Sequence, residues 1–257
     1  MFSKKIRMML CDVDGTLLKK GYSTISNEVT DAIQFAVNNG IQFVIASGRC
    51  YSDLCTLFSA VKNLVTFVAC DGGVAVHNGQ TIYTSVIPET HAELLLNSTE
   101  AFSDITSIIY TKDEVYCIGN DKPNIPCKQV SSLSVVCGNI YKVAFYNLPD
   151  SVKQKIRSFA TRSAKLTEVY HDAFWIEFVL SGTDKGAACK ALQKQFGITE
   201  SETAAFGDNT NDFGMLRRAQ ITYASSGAIP DIKRMCKYTC KDIPSEIIKL
   251  SQERGTL

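Results

Sequence analysis

Arg7-Met8-Met9-Leu10-Cys11-Asp12-Val13-Asp14-Gly15-Thr16 is the stretch on which the reading of this 257-residue chain turns. A short, mostly apolar run stops at an acid, and a second acid and a glycine follow. Such a run suits a strand buried on both faces, as in a parallel sheet. Three other runs share the habit: residues 41–46 stop at Ser47, 65–70 at Asp71 and 204–207 at Asp208. In open α/β sheets the C-terminal ends of the strands are where ligands bind. The pattern therefore gathers Asp12, Ser47, Asp208 and Asp71 at one edge.

The connections agree. Ser26 is placed to cap a helix with Val29, Ala32, Ile33, Ala36 and Val37 at helical spacing and Gly40 as its stop. A second helix is expected over 184–196, with Ala187, Ala188, Ala191 and Leu192 inward, and a third after Asp208 with Phe213, Met215 and Leu216. Alternating strands and helices define an α/β, doubly wound parallel-sheet core. The middle reads differently. Strands are expected at 107–110, 115–118, 141–146, 166–170 and 174–180, helices at 89–102 and 150–162, and a loop at 121–126. Tyr141-Lys142-Val143-Ala144-Phe145 and Trp175-Ile176-Glu177-Phe178 alternate apolar and polar residues, as half-exposed antiparallel strands do. The division that results is a core at 1–81 and 184–257 with an inserted α+β domain at 82–183.

Composition narrows the function. Lys plus Arg is 27 against 26 Asp plus Glu, without the basic excess or stripe of a nucleic-acid binder. No stretch has the roughly 20 apolar residues of a membrane span. Residues 6–11 are too short for a signal sequence, so a cytoplasmic protein with ten free cysteines is expected. No Cys-x-x-Cys pair occurs and the three histidines are scattered, which disfavours zinc.

The acids carry the chemistry. If strand geometry lasted through Asp14, the side chains of Asp12 and Asp14 would share one side. An aspartate turn with a helix cap would account for this motif alone. A second acidic pair, Asp208 and Asp212 in Gly207-Asp208-Asn209-Thr210-Asn211-Asp212, follows another strand. Crowded carboxylates need a cation, and hard oxygen ligands favour magnesium over zinc. Lys185 falls in the first turn of its helix, where a cation opposes the dipole. Facing the acids, it would offset their charge and grip a phosphate. Ser47 and Gly48 offer a hydroxyl and backbone amides for phosphate oxygens.

With these motifs in order, the chain resembles a haloacid dehalogenase-superfamily phosphatase of the Cof-type subgroup, which carries a large C2B cap. Asp12-Val13-Asp14-Gly15-Thr16, Ser47 in Ile45-Ala46-Ser47-Gly48-Arg49, Lys185 in Gly182-Thr183-Asp184-Lys185-Gly186 and the 207–212 segment match its four motifs across almost the whole chain. The resemblance implies a Rossmann-like core and a magnesium-dependent phosphohydrolase of small phosphorylated metabolites, sugar phosphates or similar. Asp12 would form an aspartyl phosphate and Asp14 would be the general acid and base. Mg2+ would be held by Asp12, the Asp14 carbonyl and Asp208, with Asp212 in support. Ser47, Gly48, Lys185 and Asn211 would hold the phosphoryl group. The insert would close over the site, with His171, Asp172, Phe174, Trp175 and Glu177 either reaching the leaving group or, for the two aromatics, filling core. A monomer or weak homodimer is expected. Two places depart from the subgroup: Asp71-Gly72-Gly73 stands where Asn-Gly-Ala is usual, and Ser226-Gly227-Ala228 where Gly-Asn-Ala is usual. A phosphosugar mutase and a non-catalytic ligand-binding member are the alternatives.

Overall fold

The computed structural model describes residues 5–99, 104–121 and 123–252. In chain order the elements are β1 (Met8–Asp12), α1 (Asn27–Asn38), β2 (Gln42–Ala46), α2 (Tyr51–Leu57), β3 (Thr66–Ala69), β4 (Val74–His77), β5 (Gln80–Thr84), α3 (Glu89–Asn97), β6 (Thr106–Tyr110), β7 (Val115–Ile118) and β8 (Lys128–Gln129). Next come β9 (Lys142–Tyr146), α4 (Asp150–Arg162), β10 (Leu166–His171), β11 (Trp175–Leu180), α5 (Lys185–Phe196), β12 (Thr203–Gly207), α6 (Phe213–Leu216), β13 (Ile221–Ser225), α7 (Pro230–Met235), β14 (Tyr238–Cys240) and α8 (Ile243–Gln252). Residues 100–102 of the helix expected at 89–102, and residue 122 of the expected loop, lie outside the described residues.

Two sheets organise the chain. The larger runs β14-β13-β12-β1-β2-β3-β4-β5, parallel from β14 to β3 and antiparallel beyond. The chain leaves β1 towards β2 but leaves β12 towards β13. The crevice between β1 and β12 is thus the point where strand order reverses, the usual ligand position in such folds. Register sets the heights there. Asp12 lies opposite Ala46, and Cys11 opposite Phe206, so three strands end together at one edge. Met8, Met9, Leu10 and Cys11 are all fully buried, because apolar side chains cover both faces of β1.

The hairpin β4–β5 was not foreseen, although its signal was present. Asn78 and Gly79, both with positive φ (50° and 75°), form the two-residue turn that matches strand twist. Ser26 precedes α1 as expected, but its side chain makes no capping hydrogen bond. Asp184 does cap α5, accepting from the Ala187 N–H at 2.5 Å, and Gly197 ends that helix in the left-handed region.

The smaller sheet, β10-β11-β9-β6-β7-β8, is antiparallel except for the β7–β8 pair. The expectation of half-exposed strands is corrected here. Lys142, Val143, Ala144 and Phe145 of β9 are all buried. One face of the sheet, with Ile109, Val143, Phe145, Ile176 and Phe178, packs with residues of α3 and α4 such as Ala92, Leu95 and Ile156. The other, with Ile108, Tyr110, Cys117 and Ala144, joins the same apolar cluster as Cys50, Leu54 and Cys70 of the larger unit. Alternation therefore marks two buried faces with different neighbours, one of which accepts charge.

Gly186, in the first turn of α5, packs against the backbone of Gly214. A Cβ on Gly186 would lie 2.3 Å from the Gly214 carbonyl carbon. Helix propensity favours alanine over glycine by roughly 0.8–1 kcal/mol, but this contact leaves it no room. Gly186→Ala is therefore expected to lose about 1–3 kcal/mol, read as a lower urea midpoint; an unchanged or raised midpoint would contradict the packing.

Candidate active site

The sheet edge collects three carboxylates. Oxygen atoms of Asp12, Asp208 and Asp212 lie within 4.8 Å of one another, and all three residues are buried. Lys185 stands among them, its ammonium donating to Asp12 Oδ1 (2.6 Å) and Asp212 Oδ1 (2.7 Å). The Asp212 Oδ2 accepts from the backbone N–H groups of Asp208 (2.9 Å) and Asn209 (3.1 Å), which folds the 208–212 loop into a compact turn. Gly15, at φ +94°, lies so close to Asp208 that a Cβ would fall 2.3 Å from Oδ2. Only glycine permits both that conformation and that approach.

Three acids around one lysine leave excess negative charge in a buried place. Burial first, then the neighbouring Asp212, pushes the Asp12 carboxyl well above the ordinary carboxylate range. The same causes raise Asp208 to about 6. Burial opposes the charge on Lys185, but Asp12 and Asp212 outweigh it and raise that group above the usual lysine value. Asp12 Oδ2 is buried and, among the described residues, meets no hydrogen-bond donor. An orphaned carboxylate oxygen beside two further carboxylates fits a hard divalent cation. Asp12, Asp208 and Asp212 are the residues that could hold it.

The remaining expected site residues sit around this centre without joining it. β1 ends at Asp12, so the strand geometry that would align Asp14 with it does not continue. The Asp14 side chain is about half exposed (52%) and is clasped by Arg49, with Nε–Oδ2 2.9 Å and Nη2–Oδ1 2.6 Å. Ser47 is buried, and its Oγ accepts from the Arg49 N–H at 3.2 Å. Asn211 turns its amide to Asp71 Oδ1 (3.0 Å). Gly48 presses on the same carboxylate, so that a Cβ there would lie 2.8 Å from Asp71 Oδ2. Asp71 itself is buried; burial would raise its carboxyl, but Lys142 first among its neighbours holds it below the usual value.

Sequence reasoning missed Lys142 and the Arg49 clasp. Neither had a local signal, since each depends on a residue at least 35 positions away. In the insert, Phe174 is 63% exposed, which rules out a core role for it. Trp175 is half-buried and donates from its indole N–H to Glu177 Oε1 (2.8 Å). None of the ten cysteines is in a disulfide.

Comparison with known proteins places the chain in a family. The family model described as haloacid dehalogenase-like hydrolase matches residues 9–246. Relatives include a 5-amino-6-(5-phospho-D-ribitylamino)uracil phosphatase of Escherichia coli, 25% identical over 253 residues (91% of this chain, 90% of the relative). Another of that name, from Bacillus subtilis, is 25% identical over 253 residues (90% and 91%). A haloacid dehalogenase-like hydrolase from Bacteroides thetaiotaomicron shares the fold with TM-score 0.83 at 19% identity (96% of this chain, 100% of that one). A subclass IIB sugar phosphatase of the superfamily does so at 0.78 and 20% (94% and 97%). The chain belongs to the haloacid dehalogenase-like hydrolases. Within them it is a phosphatase of the Cof-type branch. Among the described residues, no helix is long and apolar enough to cross a membrane.

The raised Asp208 carboxyl has a sign that can be tested. Its folded value, about 6, lies above that of an unfolded aspartate, about 3.9. The folded chain therefore binds more protons between the two. The stability this contributes is complete below about pH 4 and lost as pH rises through about 6. Without divalent cation, Asp208→Asn is expected to melt a few degrees above the parent at pH 7.5, with the gap closing by pH 5. A parent that melts higher than the variant at pH 7.5 would refute the crowding.

Proposed function

We propose that this chain is a magnesium-dependent phosphohydrolase of small phosphorylated metabolites, acting through an aspartyl phosphate on Asp12. The observation that carries the reading is the Asp12 carboxylate itself. One oxygen is fixed by Lys185 and the other, buried, meets no donor among the described residues. The group is oriented at the strand-reversal crevice yet not fully engaged. When bound, Mg2+ would be held by Asp12, Asp208, Asp212 and the Asp14 backbone carbonyl, and would offset negative charge on the transferring phosphoryl.

Asp12 attacks phosphorus; an Asp12 O–P bond forms as the P–O bond to the leaving group breaks. Asp14 gives its proton to the departing alkoxide, then takes one from the water whose oxygen attacks phosphorus, and the Asp12 O–P bond breaks to release phosphate. For this Asp14 swings out of the Arg49 clasp. Lys185, Ser47, the Gly48 amide and Asn211 hold the phosphoryl oxygens, and this positioning supplies most of the catalysis. The insert, residues 82–183 by the sequence division although residues 82–84 complete β5 of the larger sheet, excludes water and meets the leaving group. The two named relatives act on the phosphate ester of a polyol chain, which puts sugar and polyol phosphates first among substrates. Cytoplasmic location and a monomer or weak homodimer complete the reading.

Purified protein assayed with a generic aryl phosphate and Mg2+ tests it. Asp12→Asn is expected to release no phosphate while staying folded, and equal activity in that variant would sink the mechanism. Asp14→Asn is expected to lose about 10²–10⁴-fold in kcat. Chelation should abolish turnover reversibly, and recovery with Zn2+ in preference to Mg2+ would overturn the metal assignment. Isomerised sugar phosphate without free phosphate would point to a mutase.

A further inference from the structure

The 70–72 segment that follows β3 has positive φ at three successive residues, Cys70 (51°), Asp71 (53°) and Gly72 (97°). Side-chain-bearing residues in that region store strain and persist only where surroundings over-determine them. The surroundings are specific. The Asp71 N–H donates to the Ser47 carbonyl (3.0 Å) and the Cys70 N–H to the Arg49 carbonyl (2.9 Å), tying this turn to the 47–49 loop. A Cβ on Gly72 would lie 2.1 Å from the Asp184 carbonyl oxygen, so the turn also abuts the start of the helix that bears Lys185.

Lys142 reaches this turn from the smaller sheet. Its ammonium donates to Asp71 Oδ2 (3.1 Å), the Gly48 carbonyl (2.7 Å) and Glu177 Oε2 (2.7 Å), which uses all three of its protons. It also stands 4.3 Å from the centre of the Tyr110 ring. The Lys142 and Asp71 side chains are each only 2% exposed. The other Asp71 oxygen takes the Asn211 amide. One cation on the insert thus grips the loop of Ser47 and Gly48 directly, and the loop of Asn211 through one carboxylate. A pair that merely docked two sheets would not need to end on those two loops.

We propose that Lys142 is a positioning residue for phosphoryl transfer, with Asp71 as its relay: seating of the insert aligns Gly48 and Asn211 with Asp12. This deepens the phosphatase reading and rests on it. Misplacement of positioning groups by about 1 Å can cost on the order of 10²-fold in rate, so loss of the relay acts on kcat.

Two variants that fold by charge balance test the idea. Asp71→Ala leaves Lys142 and Glu177 as a neutral pair. Lys142→Met combined with Glu177→Gln and Asp71→Asn removes all three buried charges together. Both are expected to lose at least about tenfold in kcat on an aryl phosphate, with KM within about threefold and a melting point close to the parent. Asp71→Asn, whose amide can still accept from Lys142 and pair with Asn211, is expected to keep most of the parent kcat. Parent-like kcat in both charge-balanced variants would overturn the proposal, as would equal losses in Asp71→Asn and Asp71→Ala. Hydrogen–deuterium exchange supplies an arm that needs no turnover: segments 47–51 and 208–212 are expected to exchange faster in Asp71→Ala, and unchanged exchange in both also overturns it. A parent inactive on every phosphate ester but with these exchange changes would count against the Asp12 mechanism, not against the relay.

Discussion

Three carboxylates confined with a single lysine at the end of a buried sheet form the constraint around which the molecule is arranged. Asp12, Asp208 and Asp212 come from two strands and a turn that end at the same height, and Lys185 is driven in among them from the first turn of α5. In water such a cluster would disperse. Here apolar cover on both sheet faces fixes the strands, and glycines at 15, 186 and 207 let backbones approach the acids and one another closely. The remaining charge imbalance shows as raised Asp12 and Asp208 carboxyls and as one Asp12 oxygen that meets no donor among the described residues. Electrostatic excess in a rigid frame is the form expected of a site completed by a cation and a phosphate.

A second buried charge cluster lies beside the first and has the opposite logic. Asp71, Lys142 and Glu177 satisfy one another, with Trp175, Asn211 and the Gly48 carbonyl taking up the remaining bonds. Burial raises the Glu177 carboxyl, and Lys142 pulls it back. Buried ion networks are weak evidence for stability, because desolvation offsets attraction. The bonds of this one run from the smaller sheet to Gly48 and Asp71 and on to Asn211, which is why we propose that it positions those loops.

The two faces of the small sheet explain why that meeting is close. The face carrying Val143, Phe145, Ile176 and Phe178 is apolar and packs with α3 and α4. The opposite face mixes Tyr110 and Ala144 with Lys142 and Glu177. It is buried against the larger unit, where Gly73 comes so near Tyr141 that a Cβ would lie 2.7 Å from the tyrosine Cβ.

By itself the sequence determined the α/β class, the strands that lead into Asp12, Ser47, Asp71 and Asp208, and a second group of strands and helices in the middle of the chain. Those are properties of short periodic runs and of the residues that stop them, so they need no knowledge of distant neighbours. It also singled out Lys185, because a cation at a helix start is locally unfavourable. Tertiary structure alone decided which acids meet: Asp212 joins Asp12 and Asp208, whereas Asp14 turns to Arg49. It also decided that Lys142 and Glu177, which alternation alone reads as solvent-facing, are buried against Asp71. The physical reason is that alternation reports only that the two faces of a strand differ. Whether the polar face meets water or an oppositely charged partner is settled by long-range docking, and Lys142 and Asp71 lie 71 residues apart in the chain.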